Sequence, residues 1–235
     1  FRQTDRMKVL LTGAGSYTAS FLIPHLQSEG VLVEALTSKN IPGIVCHPRD
    51  FKNKSELKRS ILSIDPDYVI HLAGIREGKN FSDFFDGNIL FAQNLFEALL
   101  ETKRPIPTLV VGTAAEYGNV PAGSNPVAED YRAQPESLYG LSKYMQTILA
   151  QMAARQGYPV MVARVFNMIG PNLPNNLVLG RFIEELEKCT DEIVMGNMDS
   201  VRDFIDVRDV VEIFWRLVRT PNAYGQVINV CTGRP

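Results

Sequence analysis

Short β-branched and aliphatic runs alternate along this chain with longer amphipathic stretches, and that alternation restricts the fold more than any other feature of the sequence. Strands separated by crossover helices pair in parallel, with the helices laid over both sheet faces. The strand-like runs are 8–11, 31–37, 44–46, 68–72, 108–111, 160–165 and 227–230. Helical spacing of apolar residues marks 17–29, 55–64, 81–100, 138–155, 177–188 and 207–218. The expected fold is therefore α/β, a Rossmann-type doubly wound parallel sheet. After Asn167 the texture changes to a Gly-Pro-Asn-rich loop, so we expect the sheet domain over 7–167. Residues 168–235 are expected to form a smaller lobe, interleaved with the last helix and strand of the sheet.

Charge and cysteine usage narrow the function classes. Lys plus Arg number 24 against 26 Asp plus Glu, a net charge of −2, which disfavours a bulk electrostatic grip on nucleic acid or an anionic membrane. There is no apolar run of membrane-spanning length. Cys46, Cys189 and Cys231 are odd in number and far apart, so neither a disulfide framework nor a metal site is expected, and a reducing cytoplasm is the expected home.

The first strand runs into Thr12-Gly13-Ala14-Gly15-Ser16-Tyr17-Thr18-Ala19, which opens the first helix. In that setting a glycine turn lets backbone N–H groups and the helix dipole hold a pyrophosphate; a tight strand–helix connection without ligand is the plainer alternative. The second strand ends in Thr37-Ser38-Lys39 where a free ribose 2′-hydroxyl would call for an acidic residue. Hydroxyls followed by a cation suit a 2′-phosphate, so NADP(H) is favoured over NAD(H), with a solvated loop lysine as the alternative. Downstream, Tyr139 and Lys143 stand at i and i+4 on one helix face. A cation near a phenol favours the phenolate and equips it to exchange a proton with a substrate oxygen.

These segments resemble the extended short-chain dehydrogenase/reductase superfamily, the NAD(P)-dependent epimerase/dehydratase type. The turn is similar to its T-G-x-x-G-x-x-G fingerprint, with Ser16 and Ala19 in place of the second and third glycines, and the resemblance sets Gly13, Gly15, Ser16, Tyr17 and Thr18 at the cofactor. His71-Leu72-Ala73-Gly74 is similar to the H-L-A-A/G segment, implying that Leu72, Ala73 and Gly74 line the cofactor and that His71 is structural. Val111 to Gly118 resembles S-S/T-x-x-V-Y-G, which puts Thr113 at the hydroxyl position beside the reacting oxygen, and implies a catalytic set of Thr113, Tyr139 and Lys143. A β-branched residue ending a strand is the plainer account of Thr113, and Glu116 and Tyr117 receive no role. Arg164 to Pro171 resembles R-x-F-N-x-x-G-P, implying Phe166 at the cofactor and Asn167 at the substrate. Asn176 would add amide groups near a diphosphate, and Arg202, in Arg202-Asp203-Phe204, matches the residue that clamps the nucleotide pyrophosphate. An Arg–Asp surface network is the alternative there.

Within the family, segments 201–210 and 228–233 look most like GDP-4-keto-6-deoxy-D-mannose reductases, with GDP-mannose 4,6-dehydratases close behind. Ala114-Ala115 after Thr113 supplies methyl groups where dehydratases carry acid–base groups, which favours a 4-keto reductase acting on a GDP-4-keto-6-deoxyhexose. A 4-epimerase, a 4,6-dehydratase and a non-catalytic cofactor-binding scaffold are the alternatives. The resemblance further implies a homodimer through helices 81–100 and 138–155, with Phe91, Leu95 and Met145 as candidate contacts that core packing explains equally well. Family members usually continue with more of the substrate lobe, so either the sequence is shortened or the lobe is minimal.

Overall fold

The computed structural model describes residues 6–47, 50–175, 177–188 and 201–234. Seven strands form one parallel sheet: β1 (Lys8–Thr12), β2 (Leu32–Leu36), β3 (Val45–His47), β4 (Tyr68–His71), β5 (Thr108–Thr113), β6 (Val160–Val165) and β9 (Val227–Val230). Their order is β3-β2-β1-β4-β5-β6-β9, so the chain reverses its direction of travel between β1 and β4. A crevice opens there at the carboxyl ends of the strands, where open α/β sheets bind ligands. Two further strands, β7 (Asn167–Ile169) and β8 (Phe204–Asp206), pair in parallel as a separate small sheet. At three residues each, they are too short to show an alternating pattern in the sequence.

Both faces of the sheet are covered. Val9 and Leu11 pack on one side with Leu22 and Leu26 of α1 (Tyr17–Ser28) and with Phe214 and Trp215 of α7 (Val207–Val218). Leu10 points the other way, into a cluster built by α2 (Lys54–Ile64), α4 (Phe91–Glu101) and α5 (Leu138–Arg155). This two-sided burial is why the strands read as continuous apolar runs. Side chains start the helices where the sequence offers cap residues: Ser16, Asn53, Ser137 and Asp206 each accept an N–H of the first turn.

One expected helix is not continuous. The 81–100 stretch divides into α3 (Phe81–Phe84), a π-helical segment Phe85–Leu90 and then α4. Asn88 supplies the physical reason. Its buried amide accepts the Ile75 N–H at 2.7 Å and donates to the Ile75 carbonyl at 3.0 Å, and the widened turn brings it to that loop. A further helix, α6 (Val178–Glu187), precedes β8. Among the described residues, no helix is long and apolar enough to cross a membrane.

Candidate active site

The glycine turn lies at the end of β1. Gly13 has φ +74°, and a Cβ there would stand 2.6 Å from the Ala73 nitrogen, so the turn and the end of β4 touch through bare backbone. Thr12 Oγ stitches the same junction: it accepts the Ala73 N–H at 3.3 Å and lies 2.7 Å from His71 Nδ1. His71 is fully buried, and burial, followed by the charge of Lys143, depresses its pKa to about 3, so it is neutral at physiological pH. Ser16, at the second glycine position of the fingerprint, caps α1 by accepting the Ala19 N–H at 3.2 Å. The amides of Tyr17 and Thr18 then sit at the open first turn, where helices hold anions. Tyr17 also crosses the crevice, its hydroxyl donating to the Pro171 carbonyl at 3.1 Å.

Lys39, an exposed residue after β2, folds back over this turn. A Cβ on Gly15 would meet Lys39 Cδ at 3.3 Å and its Nζ at 3.6 Å. Beside it, Leu36, Thr37, Ser38, Phe51, Leu57 and Phe91 line a cavity of about 180 Å³. A phosphate-holding turn, a cation across it and a partly apolar cavity at the end of β2 fit the pyrophosphate and adenosine of a dinucleotide, and these residues accommodate NAD(P).

Thr113 ends β5, and Tyr139 lies in the first turn of α5. The Thr113 side chain stands beside the Tyr139 phenol. Burial raises the Tyr139 pKa, the Thr113 side chain and the Arg76 charge lower it, and Glu116 raises it. The expectation that Lys143 would pull the phenol down does not describe this conformation. Lys143 Nζ donates instead to Gln146 Oε1, one turn further along α5, and burial lowers the lysine's pKa to about 8 against the opposing charge of Glu116. The ammonium also borders β4, since a Cβ on Gly74 would come within 3.8 Å of Nζ. A buried polar cluster supports it: Gln146 Nε2 donates to the Asn88 carbonyl at 3.4 Å, and Asn88 Nδ2 donates to Ser142 Oγ at 2.8 Å.

The remaining site residues are placed less closely. Leu72 is half-buried, its N–H donating to the Thr12 carbonyl at 3.1 Å. Phe166 is half-buried beside Tyr117. Asn167 Nδ2 donates to the Asp203 carbonyl at 3.0 Å, which ties β7 to the segment before β8 and commits the amide donor structurally. Arg202 is exposed, with Nη1 donating to the Val201 carbonyl, while the neighbouring Arg208 pairs with Asp206 through Nε and Nη2. Asn176 lies outside the described residues.

Sequence reasoning passed over Glu116, Asn88, Gln146 and Arg76. For Glu116 a signal existed: Thr113-Ala114-Ala115-Glu116 has capping-box spacing, and the box forms, with Thr113 Oγ accepting the Ala115 N–H and Glu116 accepting the Thr113 N–H.

A model of the NAD dependent epimerase/dehydratase family matches residues 9–231. The chain belongs to that family. It is accordingly an NAD(P)-dependent enzyme. It is 27% identical over 231 residues to GDP-6-deoxy-D-talose 4-dehydrogenase of Aggregatibacter actinomycetemcomitans, an alignment covering 97% of this chain and 75% of that protein. It is 31% identical over 179 residues to GDP-6-deoxy-D-mannose reductase of Pseudomonas aeruginosa, covering 72% of this chain and 59% of that protein. Among solved structures, RMD from Pseudomonas aeruginosa complexed with NADPH superposes with a TM-score of 0.83 at 27% identity, over 97% of this chain and 79% of that one.

Proposed function

We propose that this chain is a nucleotide-sugar reductase that uses NADP(H) to reduce the 4-keto group of a GDP-4-keto-6-deoxyhexose. The observation that carries this reading is the Thr113 side chain at the end of β5 standing beside the Tyr139 phenol, with the buried Lys143 one turn along the same helix. A nicotinamide cofactor held there would supply the hydride that the carbonyl carbon takes up. Tyr139 holds the proton that the carbonyl oxygen takes up, and Thr113 orients that oxygen by a hydroxyl contact. The Arg76 charge and the Thr113 side chain favour the phenolate left behind, and Lys143, bonded to Gln146, adds a buried cation to the same helix. The methyl groups of Ala114 and Ala115 give no acid–base group for a dehydration beside that oxygen.

Gly13, Gly15, Ser16, Tyr17 and Thr18 hold the cofactor pyrophosphate; Leu72, Ala73, Gly74 and Phe166 flank the cofactor. Lys39 takes the 2′-phosphate, supported by its position over Gly15. The substrate's nucleotide falls to residues 168–235, with Asn167, Asn176 and Arg202 as its polar contacts. The enzyme acts in the cytoplasm as a homodimer.

The test is NADPH oxidation against a panel of GDP-, UDP- and dTDP-4-keto-6-deoxyhexoses, repeated with NADH and with Lys39→Asp. The expected result is turnover fastest with a GDP sugar, a preference of about tenfold or more for NADPH, and loss of that preference in Lys39→Asp, since each tenfold corresponds to about 1.4 kcal/mol of differential binding. No oxidation of either cofactor with any sugar would overturn the reading, and a tenfold preference for NADH would overturn the role of Lys39.

A further inference from the structure

Glu116 follows the end of β5 and is wholly buried. Its two oxygens are divided among three elements. Oε1 accepts the backbone N–H of Thr113 at 2.9 Å. Oε2 accepts Thr147 Oγ of α5 at 2.8 Å and Arg164 Nε of β6 at 2.9 Å. Strand β5 leaves room for the carboxylate: a Cβ on Gly112 would stand 2.6 Å from Oε1. Arg164 is itself fixed on its far side. Its guanidinium lies 4.6 Å from the centre of the Tyr117 ring, and Nη1 donates to the Glu129 carbonyl at 3.4 Å. Tyr117 in turn donates to Asn229 Oδ1 of β9 at 2.7 Å.

We propose that Glu116 is a positioning residue for the reaction: one carboxylate ties the end of β5 to α5 and β6, and so sets the Thr113 hydroxyl against the Tyr139 phenol. This inference rests on the reading of Thr113 and Tyr139 given above. Those two residues come from different elements separated by a long loop, so their contact depends on how the strand end and the helix are held together. Thr147 lies two turns beyond Tyr139 on α5, so Glu116 grips the helix that carries the phenol as well as the backbone of Thr113. A carboxylate accepts all three donors at once, whereas an amide in its place would turn an NH₂ toward the Arg164 guanidinium. Displacements of about an ångström at a reacting group cost turnover more than binding.

The test uses the sugar nucleotide that the wild-type enzyme reduces fastest in the panel above. Glu116→Gln is expected to lower kcat roughly ten- to a hundredfold while moving the KM of the sugar and the Kd of NADPH by less than about threefold. In a Thr113→Val background the same substitution is expected to cost less than about twofold, because the group it positions is already gone. Equal losses in both backgrounds, or a Glu116→Gln kcat within about twofold of wild type, would overturn the proposal. Glu116→Gln leaves the buried Arg164 charge without its partner and is liable to unfold. Thr147→Val removes one donor and keeps the shape, and is expected to lower kcat roughly three- to tenfold, a loss that also vanishes beside Thr113→Val; an additive loss there overturns the proposal equally. Tyr139→Phe separates the two claims. If it is inactive while Glu116→Gln and Thr147→Val are fully active, only the positioning role falls; if it is fully active, or if the wild type reduces nothing, the reading of the site falls and this inference with it.

Discussion

Lys143 donates to the neutral amide of Gln146, and its buried ammonium is held at a pKa of about 8, well below the usual lysine value. That arrangement makes a direct claim about stability. Below pH 8 the lysine is protonated in both folded and unfolded chains, and the folded state bears the full desolvation penalty. Between about pH 8 and 10.5 the unfolded chain holds the proton and the folded chain does not, so the penalty fades as pH rises. Lys143→Met should therefore raise the unfolding free energy at pH 7 by roughly 1–3 kcal/mol, with the gain shrinking above pH 8, while abolishing turnover. Denaturant melts of both proteins at pH 7 and pH 10 measure it; a Met variant less stable than wild type at pH 7 would contradict the burial argument. At this scale the sequence showed which residues converge but not their pairings. Tyr139 and Lys143 were legible from their i, i+4 spacing, yet the bonds Lys143–Gln146 and Glu116–Arg164 depend on rotamers and on strands far apart in the chain. His71 was legible as structural through the resemblance of His71-Leu72-Ala73-Gly74, and it is buried and neutral in the fold.

Elements were legible wherever a long periodic pattern met a side chain able to cap it. Helices 138–155 and 207–218 and strands 160–165 and 227–230 fall where apolar spacing sets them. The π-helical segment Phe85–Leu90 escaped, because a tertiary contact from Asn88 to Ile75 widens the turn while the apolar spacing still reads as helix. For the homodimer contacts, Phe91 and Leu95 read equally as interface or as core. Phe91 and Leu95 are 8% and 0% exposed and belong to the core, since α4 turns them toward the sheet. The exposed large apolar residues of these two stretches are Phe81 and Phe85, together with Leu138, Leu141, Ile148 and Met152 of α5. Leu141, Met145, Ile148 and Met152 follow helical spacing on one face of α5, with Met145 half-buried. If the homodimer forms through that face, Ile148→Glu combined with Met152→Glu should yield monomers at micromolar concentration with fold and cofactor binding intact. Light scattering decides: a monomeric wild type removes the dimer, and a double variant that stays dimeric places its interface elsewhere.

The whole molecule was the most legible level, because alternating strand and helix patterns admit few parallel topologies. Strand order β3-β2-β1-β4-β5-β6-β9 puts the switch point beside the glycine turn, and the sequence order of the motifs then fixes where the candidate catalytic residues stand. The part around residues 167–206 was less legible. Its small β7–β8 sheet is short, Asn167 is engaged with Asp203, and Arg202 is exposed, so the substrate side rests on family likeness more than on convergent geometry. What joins the two regions is the central claim, that Tyr139 delivers the proton in a hydride-transfer reaction. Tyr139→Phe removes one oxygen atom and leaves the ring in its half-buried place. NADPH titration and single-turnover reduction of a GDP-4-keto-6-deoxyhexose, measured on the wild type and this variant, test the claim most directly. The NADPH Kd is expected within about twofold of wild type and turnover lower by ~10²–10⁴-fold; turnover within a few-fold of wild type would remove Tyr139 as the proton donor.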